Sequence, residues 1–300
     1  MREKLENLKR IIEGMIRELD DMNPSALSAE ESRIISPDWE ELVGHLESNE
    51  WPQAVLPCQI VEEDSEQEKE ERAEGIVQVL LPPLIGKRFL DFGCGEGHVA
   101  KNASKDASFS VGYDEFKNEN SRLVWEETHE SCLLTTDFNR VKEMGPYEVV
   151  LICDVLDHAK GARPSEILSR AAEVLAEGGK IYLRCHPWCG RHGGHLYRKI
   201  NKAFVHLVLS DEELRFLGIE PEYSIKVIRP IRHYHEVIRE AGLVIESEPE
   251  TDNQEVEDFF REVPVIRDRI LKHWGADEWS VDQPSFQMSQ CFIDYVLKKK

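Results

Sequence analysis

Hydrophobic and polar positions divide the chain into segments of different period. Over the first 21 residues, Leu5, Leu8, Ile12, Met15 and Leu19 recur at spacings of 3, 4, 3 and 4 among charged residues, until Asn23-Pro24 ends the run. That spacing predicts an amphipathic helix with a single narrow apolar stripe. Such a stripe suits packing onto the chain's own domain, or a homodimer formed through this helix. Residues 24–60 are aperiodic, with SPDWEEL reading as one capped helical turn. EEDSEQEKEERAEGIVQVLLPPL begins as a solvated acidic run and becomes amphipathic near Ile76, and its charges read as an exposed helix face.

From residue 86 the period alternates between that of strands and that of helices. KRFLDFG reads as a strand, HVAKNASKD as a helix, FSVGYDEF as a strand with an acid at its end, and SRLVWEETHESC as a helix. YEVVLICDVLDHA is a buried strand running into a loop, and SEILSRAAEVLAEGGKIYLRC a helix, a glycine turn and a strand. IRHYHEVIREAGLVIESE repeats helix, Gly and strand, and QCFIDYVLKKK closes with an apolar strand. This alternation predicts an α/β fold whose parallel sheet is covered by helices on both faces. Two stretches depart from it, residues 186–229, rich in His, Trp, Tyr and Gly, and residues 249–284. Extra segments at strand ends of such sheets tend to lie over the ligand crevice. The expected organisation is a helical extension over residues 1–75 and an α/β domain over 76–300, with 186–229 as a substrate lid.

Composition narrows the partners. A hydrophobic fraction of 41% supports a packed core, while a formal charge of -21 repels phosphate backbones and anionic membrane surfaces. The seven cysteines, an odd number, stand at 58, 94, 132, 153, 185, 189 and 291 without a disulfide framework, which points to a reducing cytoplasm. The charged N-terminus has no leader pattern, and no stretch approaches the ~18 apolar residues of a membrane span, so a soluble cytoplasmic chain is expected.

The candidate chemistry centres on FLDFGCGEGHVA, residues 89–100. A glycine-rich turn from a buried strand into a helix lets backbone N–H groups approach a ligand closely. The dinucleotide pattern G-x-G-x-x-G would need Gly where His98 stands, and the G-K-[ST] ending of a phosphate-cradling loop is missing. What remains is Asp91-x-Gly93-x-Gly95-x-Gly97. This resembles the first motif of the class I S-adenosylmethionine-dependent methyltransferases, and downstream segments match that family in order and spacing. VGYDEF offers Asp114 where the family places an acid on the ribose hydroxyls, and LLTTDF offers Asp137 and Phe138 beside the adenine. LICDVLDHA is similar to the fourth-strand segment, with Asp157 in place of Glu, and LAEGGKIYLR to the turn before strand five, with Glu177 in place of Pro. The resemblance covers roughly residues 76–185 and 230–300.

It implies a doubly wound, seven-stranded, mostly parallel sheet and S-adenosyl-L-methionine as cofactor. The implied cofactor-binding residues are Asp91, Gly93, Cys94, Gly95, Gly97, Asp114, Asp137, Phe138 and Asp154. Asp91 would order the loop and help to receive the ligand's amino group, and Asp114 would accept two ribose O–H bonds. Acids also suit a cationic sulfonium better than a pyrophosphate.

Methyl transfer from a sulfonium is a direct displacement that needs proximity, alignment, exclusion of water, and a base where the nucleophile carries a proton. Candidates for the base stand in RCHPWCGRHGGHLYRKINKAFVHL, just past the fifth strand, and some family members carry a similar His/Tyr-rich stretch there, ending like HLVLS and the acidic DEEL. His186, His195 and Asp157 are the candidate catalytic residues, with His192 and Tyr197 on the same glycine-flexible loop. The alternative for the histidines is that they bond backbone carbonyls and shape the loop. Cys185, His186, Cys189, His192 and His195 fall within eleven positions, but no second pair of close ligands completes a zinc site. Asp154, Asp157 and His158, with a later His192 or His195, have the spacing of the metal site in small-RNA 3′-end methyltransferases, with two Glu→Asp departures. The expectation is a methyltransferase without a metal, acting on O or N of a small molecule or protein side chain. The alternatives are the metal-dependent RNA 3′-end enzyme, and a catalytically idle methyltransferase-fold interaction module, against which the intact loop speaks.

Overall fold

A computed structural model describes residues 39–48, 51–55, 65–159, 163–186, 190–220, 231–248, 254–274 and 292–300. The apolar stripe Leu5–Leu19, and with it the homodimer expectation, lies outside these residues. Before the sheet come α1 (Trp39–Glu47) and α2 (Glu66–Leu80). The sheet then begins with β1 (Arg88–Phe92), α3 (His98–Ala103), β2 (Phe109–Tyr113), β3 (Thr128–His129) and β4 (Cys132–Thr135). It continues with α4 (Phe138–Met144), β5 (Tyr147–Cys153), α5 (Arg163–Val174) and β6 (Leu175–Cys185). The strand order is β3-β4-β2-β1-β5-β6, then β8 (Ile293–Lys299) and β7 (Leu243–Ser247). β4, β2, β1, β5 and β6 run parallel, while β8 lies antiparallel to both β6 and β7. The seven expected strands are therefore joined by an eighth, the two-residue β3 at the edge.

Burial explains why the central strands read as continuous apolar runs. Val149, Val150, Leu151 and Ile152 are all at most 2% exposed, because α-helical layers cover both faces. Strand order reverses at β1, running to β2 on one side and to β5 on the other, so the carboxyl ends of β1 and β5 open the crevice where such sheets hold ligands.

Several expectations need correction. The WEEL part of SPDWEEL opens a nine-residue helix, α1, whose Trp39 and Leu42 enter the main core. SRLVWEETHESC is not a helix but a packed loop leading into β3. Tertiary partners outcompete the local period there: Trp125 buries against Cys94, Ala100 and Leu134, and the Ser121 hydroxyl donates to Glu96 O at 2.7 Å. Glu126, in the left-handed region at φ 66°, turns its carboxylate to the Thr135 hydroxyl and the Thr136 N–H, both 2.7 Å away. The acidic face of α2 is mostly solvated, except that Glu66 and Lys69 turn toward the glycine loop. α2 runs without interruption through residues 75 and 76.

Among its described residues, the insertion after β6 has helical structure at the glycine-flexible loop of His192, His195 and Tyr197 as well as around HLVLS. It contains a 3-10 helix (Gly193–Arg198), α6 (Val205–Val208) and α7 (Asp211–Phe216), followed by α8 (Ile231–Glu240) of the regular alternation. α9 (Gln254–Glu262) and α10 (Pro264–Trp274) occupy part of the second irregular stretch. Ser48 and Trp51 are stitched to the insertion: Trp51 Nε1 donates to Ala203 O at 2.7 Å, and Lys202 Nζ to Ser48 O at 2.7 Å. Phe204 stacks on Phe259 with ring centroids 5.5 Å apart, and Arg269 of α10 pairs with Glu213 of α7 at 2.6 Å, both almost fully buried. Removing one partner of that pair leaves an uncompensated buried charge, so Arg269→Met is expected to destabilise the fold by about 3 kcal/mol. Equal thermal midpoints for the variant and the parent would contradict that assignment.

Candidate active site

The loop after β1 is tied to the end of β2, because the Gly93 and Cys94 N–H groups both donate to Tyr113 O, at 2.7 and 3.0 Å. Its three glycines are all left-handed, with φ of 85°, 54° and 93° at Gly93, Gly95 and Gly97. Their surroundings differ. A Cβ at Gly93 would stand 2.3 Å from Val155 Cγ2, and one at Gly97 2.5 Å from Leu134 Cδ1, whereas one at Gly95 would meet no atom within 4 Å. Gly93 and Gly97 thus allow close packing, and Gly95 is where bare backbone borders open space.

Four acids surround this loop. Asp91, at 3% exposure, stands near the end of β1 beneath the loop; burial, with the Asp114 charge added, pushes its carboxyl up to about 7 against the opposing influence of the Ala100 N–H. Asp114 follows β2, and its Oδ2 accepts the Gly95 N–H at 2.9 Å. A carboxylate has about four acceptor positions, so Asp114 keeps capacity for ligand hydroxyls. Asp137 caps α4, taking the Asn139 N–H on Oδ1 at 2.9 Å. Asp154 sits at the end of β5 in the left-handed region, at φ 55°, with a buried Oδ1 that has no hydrogen-bond partner. Burial raises its carboxyl, opposed by Arg72 and Arg184, and Arg72 Nη2 lies 3.4 Å from its Oδ2.

Cys94 contributes backbone at the loop, while its thiol is buried and pushed well above the ordinary range. The Phe138 ring packs 6.1 Å from Phe92 and 5.4 Å from Tyr113. A sequence model described as a methyltransferase domain matches residues 65–248, more than half of the chain. The protein belongs to the methyltransferase-domain family.

This chain is 29% identical over 104 residues to a ubiquinone biosynthesis O-methyltransferase of Vibrio parahaemolyticus; the match covers 33% of this chain and 43% of that one, so less than half of the relative's length is spanned. Among solved structures, the magnesium protoporphyrin IX methyltransferase of Synechocystis, with bound SAH, is similar at a TM-score of 0.42 and 14% identity, over 80% of this chain and 90% of that one. A phosphoethanolamine N-methyltransferase of Haemonchus contortus, in complex with S-adenosyl-L-methionine, is similar at a TM-score of 0.43 and 16% identity, over 76% of this chain and 52% of that one. The mostly parallel α/β sheet of this chain accords with what the motifs imply. The site fits S-adenosylmethionine: open space at Gly95 gives room beside backbone, and the acids favour a cation.

On the other side of the crevice, His186 follows β6, with its ring 5.1 Å from His192 and 4.1 Å from Phe292. Tyr197 adds an edge contact to His192 at 5.8 Å. The structure therefore gathers His186, His192 and Tyr197, together with Phe292, which no motif marks. His195 lies in the 3-10 helix, but its side chain is outside the described residues. Asp157 is 1% exposed, with Oδ2 3.4 Å from His158 Nε2, and it is the half-exposed His158 that reaches outward. Cys189 of the zinc alternative lies outside the described residues. Among the described residues, neither Asp154, Asp157 and His158 nor Cys185, His186 and His192 bring three ligand atoms together; Glu66, Glu96 and His98 do.

Arg72, Lys69 and Val155 also frame the site, and sequence reasoning missed them. The signal for Lys69 and Arg72 is their spacing of 3 on the helix preceding the glycine loop, which puts both on one face.

Proposed function

We propose that the protein transfers the methyl group of S-adenosylmethionine to an O or N atom of a small molecule or a protein side chain. The observation that carries this reading is the glycine loop, packed at Gly93 and Gly97 and open at Gly95, with Asp114 bonded across it. When bound, S-adenosylmethionine supplies an electrophilic methyl group on a sulfonium. Asp114 accepts the ribose hydroxyls while fixing Gly95, Asp91 holds the loop and adds negative charge, and Asp137 with the Phe138 N–H receives the adenine edge. Asp154, whose Oδ1 has no partner among its neighbours, faces the crevice from β5 and adds to the anionic field. His186, edge-on to His192 and tilted against Phe292 at the end of β6, takes the acceptor's proton. His195 and the buried Asp157 serve as further candidates for handling or steadying that proton. The O-methyltransferase named among the relatives favours oxygen as the acceptor atom.

Among the described residues no helix is long and apolar enough to cross a membrane, and Cys94, Cys132, Cys153 and Cys185 are free thiols, which supports a reducing, cytoplasmic setting.

The test is calorimetric titration of the chelator-treated protein with S-adenosylmethionine, S-adenosylhomocysteine and NAD in parallel. Micromolar binding of the first two with NAD silent is the expected result, and silence from all three would overturn the reading. Asp114→Asn removes charge from the ribose acceptor and is expected to weaken S-adenosylmethionine by roughly thirtyfold with the fold retained. Unchanged affinity would return Asp114 to a purely structural role. His186→Ala is expected to keep cofactor affinity and lower turnover at least about tenfold once an acceptor is in hand; equal turnover would exclude His186 as the base.

A further inference from the structure

We propose that Glu66, Glu96 and His98 form a binding site for a divalent transition-metal ion of the zinc type, joining the first turn of α2 to the outer side of the glycine loop. One ligand atom from each of these residues lies within 4.8 Å of the other two. His98 Nε2 stands 3.7 Å from Glu66 Oε2 and 3.6 Å from Glu96 Oε2. In a tetrahedral zinc site with ligand bonds near 2.0–2.1 Å, ligand atoms lie about 3.3 Å apart, so the two edges from His98 need to close by only a few tenths of an ångström and the edge between the carboxylates, within 4.8 Å, closes by rotation of the glutamate side chains. The His98 side chain is 9% exposed, and neither ring nitrogen has a hydrogen-bond partner or contact with water. A buried, unbonded imidazole is unfavourable unless something takes its lone pair. One imidazole nitrogen and two carboxylates favour zinc, cobalt or nickel over the hard ions calcium and magnesium, which take all-oxygen shells.

Lys69 holds the place of the ion. Its Nζ donates to both Glu96 oxygens, at 3.0 and 2.9 Å, and lies 3.5 Å from Glu66 Oε1. A flexible ammonium can swing outward, and the two carboxylates then meet a divalent charge rather than a single one. Glu96 is the residue between Gly95 and Gly97, and His98 is the first residue of α3, so an ion here would grip the loop from behind without occupying the open space at Gly95. The site stands on these residues alone and does not depend on which cofactor the loop binds.

The experiment titrates chelator-treated full-length protein with cobalt(II), following visible ligand-field absorption, and then displaces the cobalt with zinc. One saturable site per chain is expected, weakened at least about tenfold by His98→Ala and by Glu66→Gln. Glu66→Gln lies on α2, outside the loop, and serves where His98→Ala disturbs folding by circular dichroism. Lys69→Met, which removes the competing charge, is expected to tighten cobalt at least about tenfold. An adventitious surface site would not respond in that direction. No binding below millimolar cobalt, or equal affinity in the parent, Glu66→Gln and Lys69→Met proteins, would overturn the proposal.

Discussion

Gly95→Asp is expected to leave the protein folded and to weaken S-adenosylmethionine by more than about a hundredfold, while Gly93→Ala in the same loop unfolds it more readily. The two glycines are two residues apart and both left-handed, so backbone strain alone predicts similar effects, on the order of 1 kcal/mol each. Their surroundings separate them. At Gly93 the new methyl meets Val155 Cγ2 at 2.3 Å, in a loop anchored to Tyr113 O, and relief requires the loop or the end of β5 to move. Overpacking of that kind adds about 1–3 kcal/mol, so Gly93→Ala should lower stability by roughly 2–4 kcal/mol. At Gly95 the side chain enters open space, and Asp tolerates left-handed backbone better than most residues. The price is paid by the ligand, which loses the room beside the backbone and meets a carboxylate next to that of Asp114. Thermal melts and calorimetric affinities of the two variants check this directly. A Gly95→Asp protein that binds as the parent does would remove the loop from the binding site.

Affinity for S-adenosylmethionine is expected to rise with pH between about 5 and 7, and Asp91 is the reason. Burial, reinforced by the Asp114 charge, lifts the Asp91 carboxyl from 3.8 to about 7. Between those values the folded protein holds a proton that the unfolded chain has released. Stability from this group is therefore fully present below pH 4 and declines as pH rises to about 7, by on the order of 4 kcal/mol. A cationic ligand beside Asp91 and Asp114 reverses the balance, because it favours the ionised carboxylate and drives the proton off. The association constant should then climb by up to about tenfold per pH unit in that window. In Asp91→Asn the pH dependence due to this carboxylate disappears, and comparing the two proteins over one pH series cancels any titration of the ligand itself. A parent profile parallel to that of Asp91→Asn would show that the carboxylate does not titrate on binding.

Both results depend on features that the sequence reveals to different extents. The periodicity from residue 86 onward and the Asp91-to-Gly97 motif carry the α/β alternation, the parallel core of the sheet and the location of the cofactor loop. These are local properties: a fully buried strand needs a run such as Val149–Ile152, and a tight strand-to-helix turn needs residues that accept positive φ. What failed was equally physical. SRLVWEETHESC has a helical period but forms a loop, because Trp125 and Glu126 find partners in Leu134, Thr135 and Thr136 that no window of sequence contains. The glycine-flexible loop of His192, His195 and Tyr197 forms a 3-10 helix, and Lys202 and Ala203 just after it are tied to Ser48 and Trp51, more than a hundred residues earlier.

The sequence by itself determined the class of fold and the place of the glycine loop between β1 and α3, since these follow from local period and turn chemistry. Only the tertiary structure decided that Gly95 alone of the three glycines borders open space, that Asp91 is buried near the Asp114 charge, that His186 packs against Phe292, and that Glu66 meets Glu96 and His98. Each of those depends on side chains brought together from distant segments. Distance through space, burial and the resulting dielectric are set by how the elements pack, and no spacing along the chain encodes them.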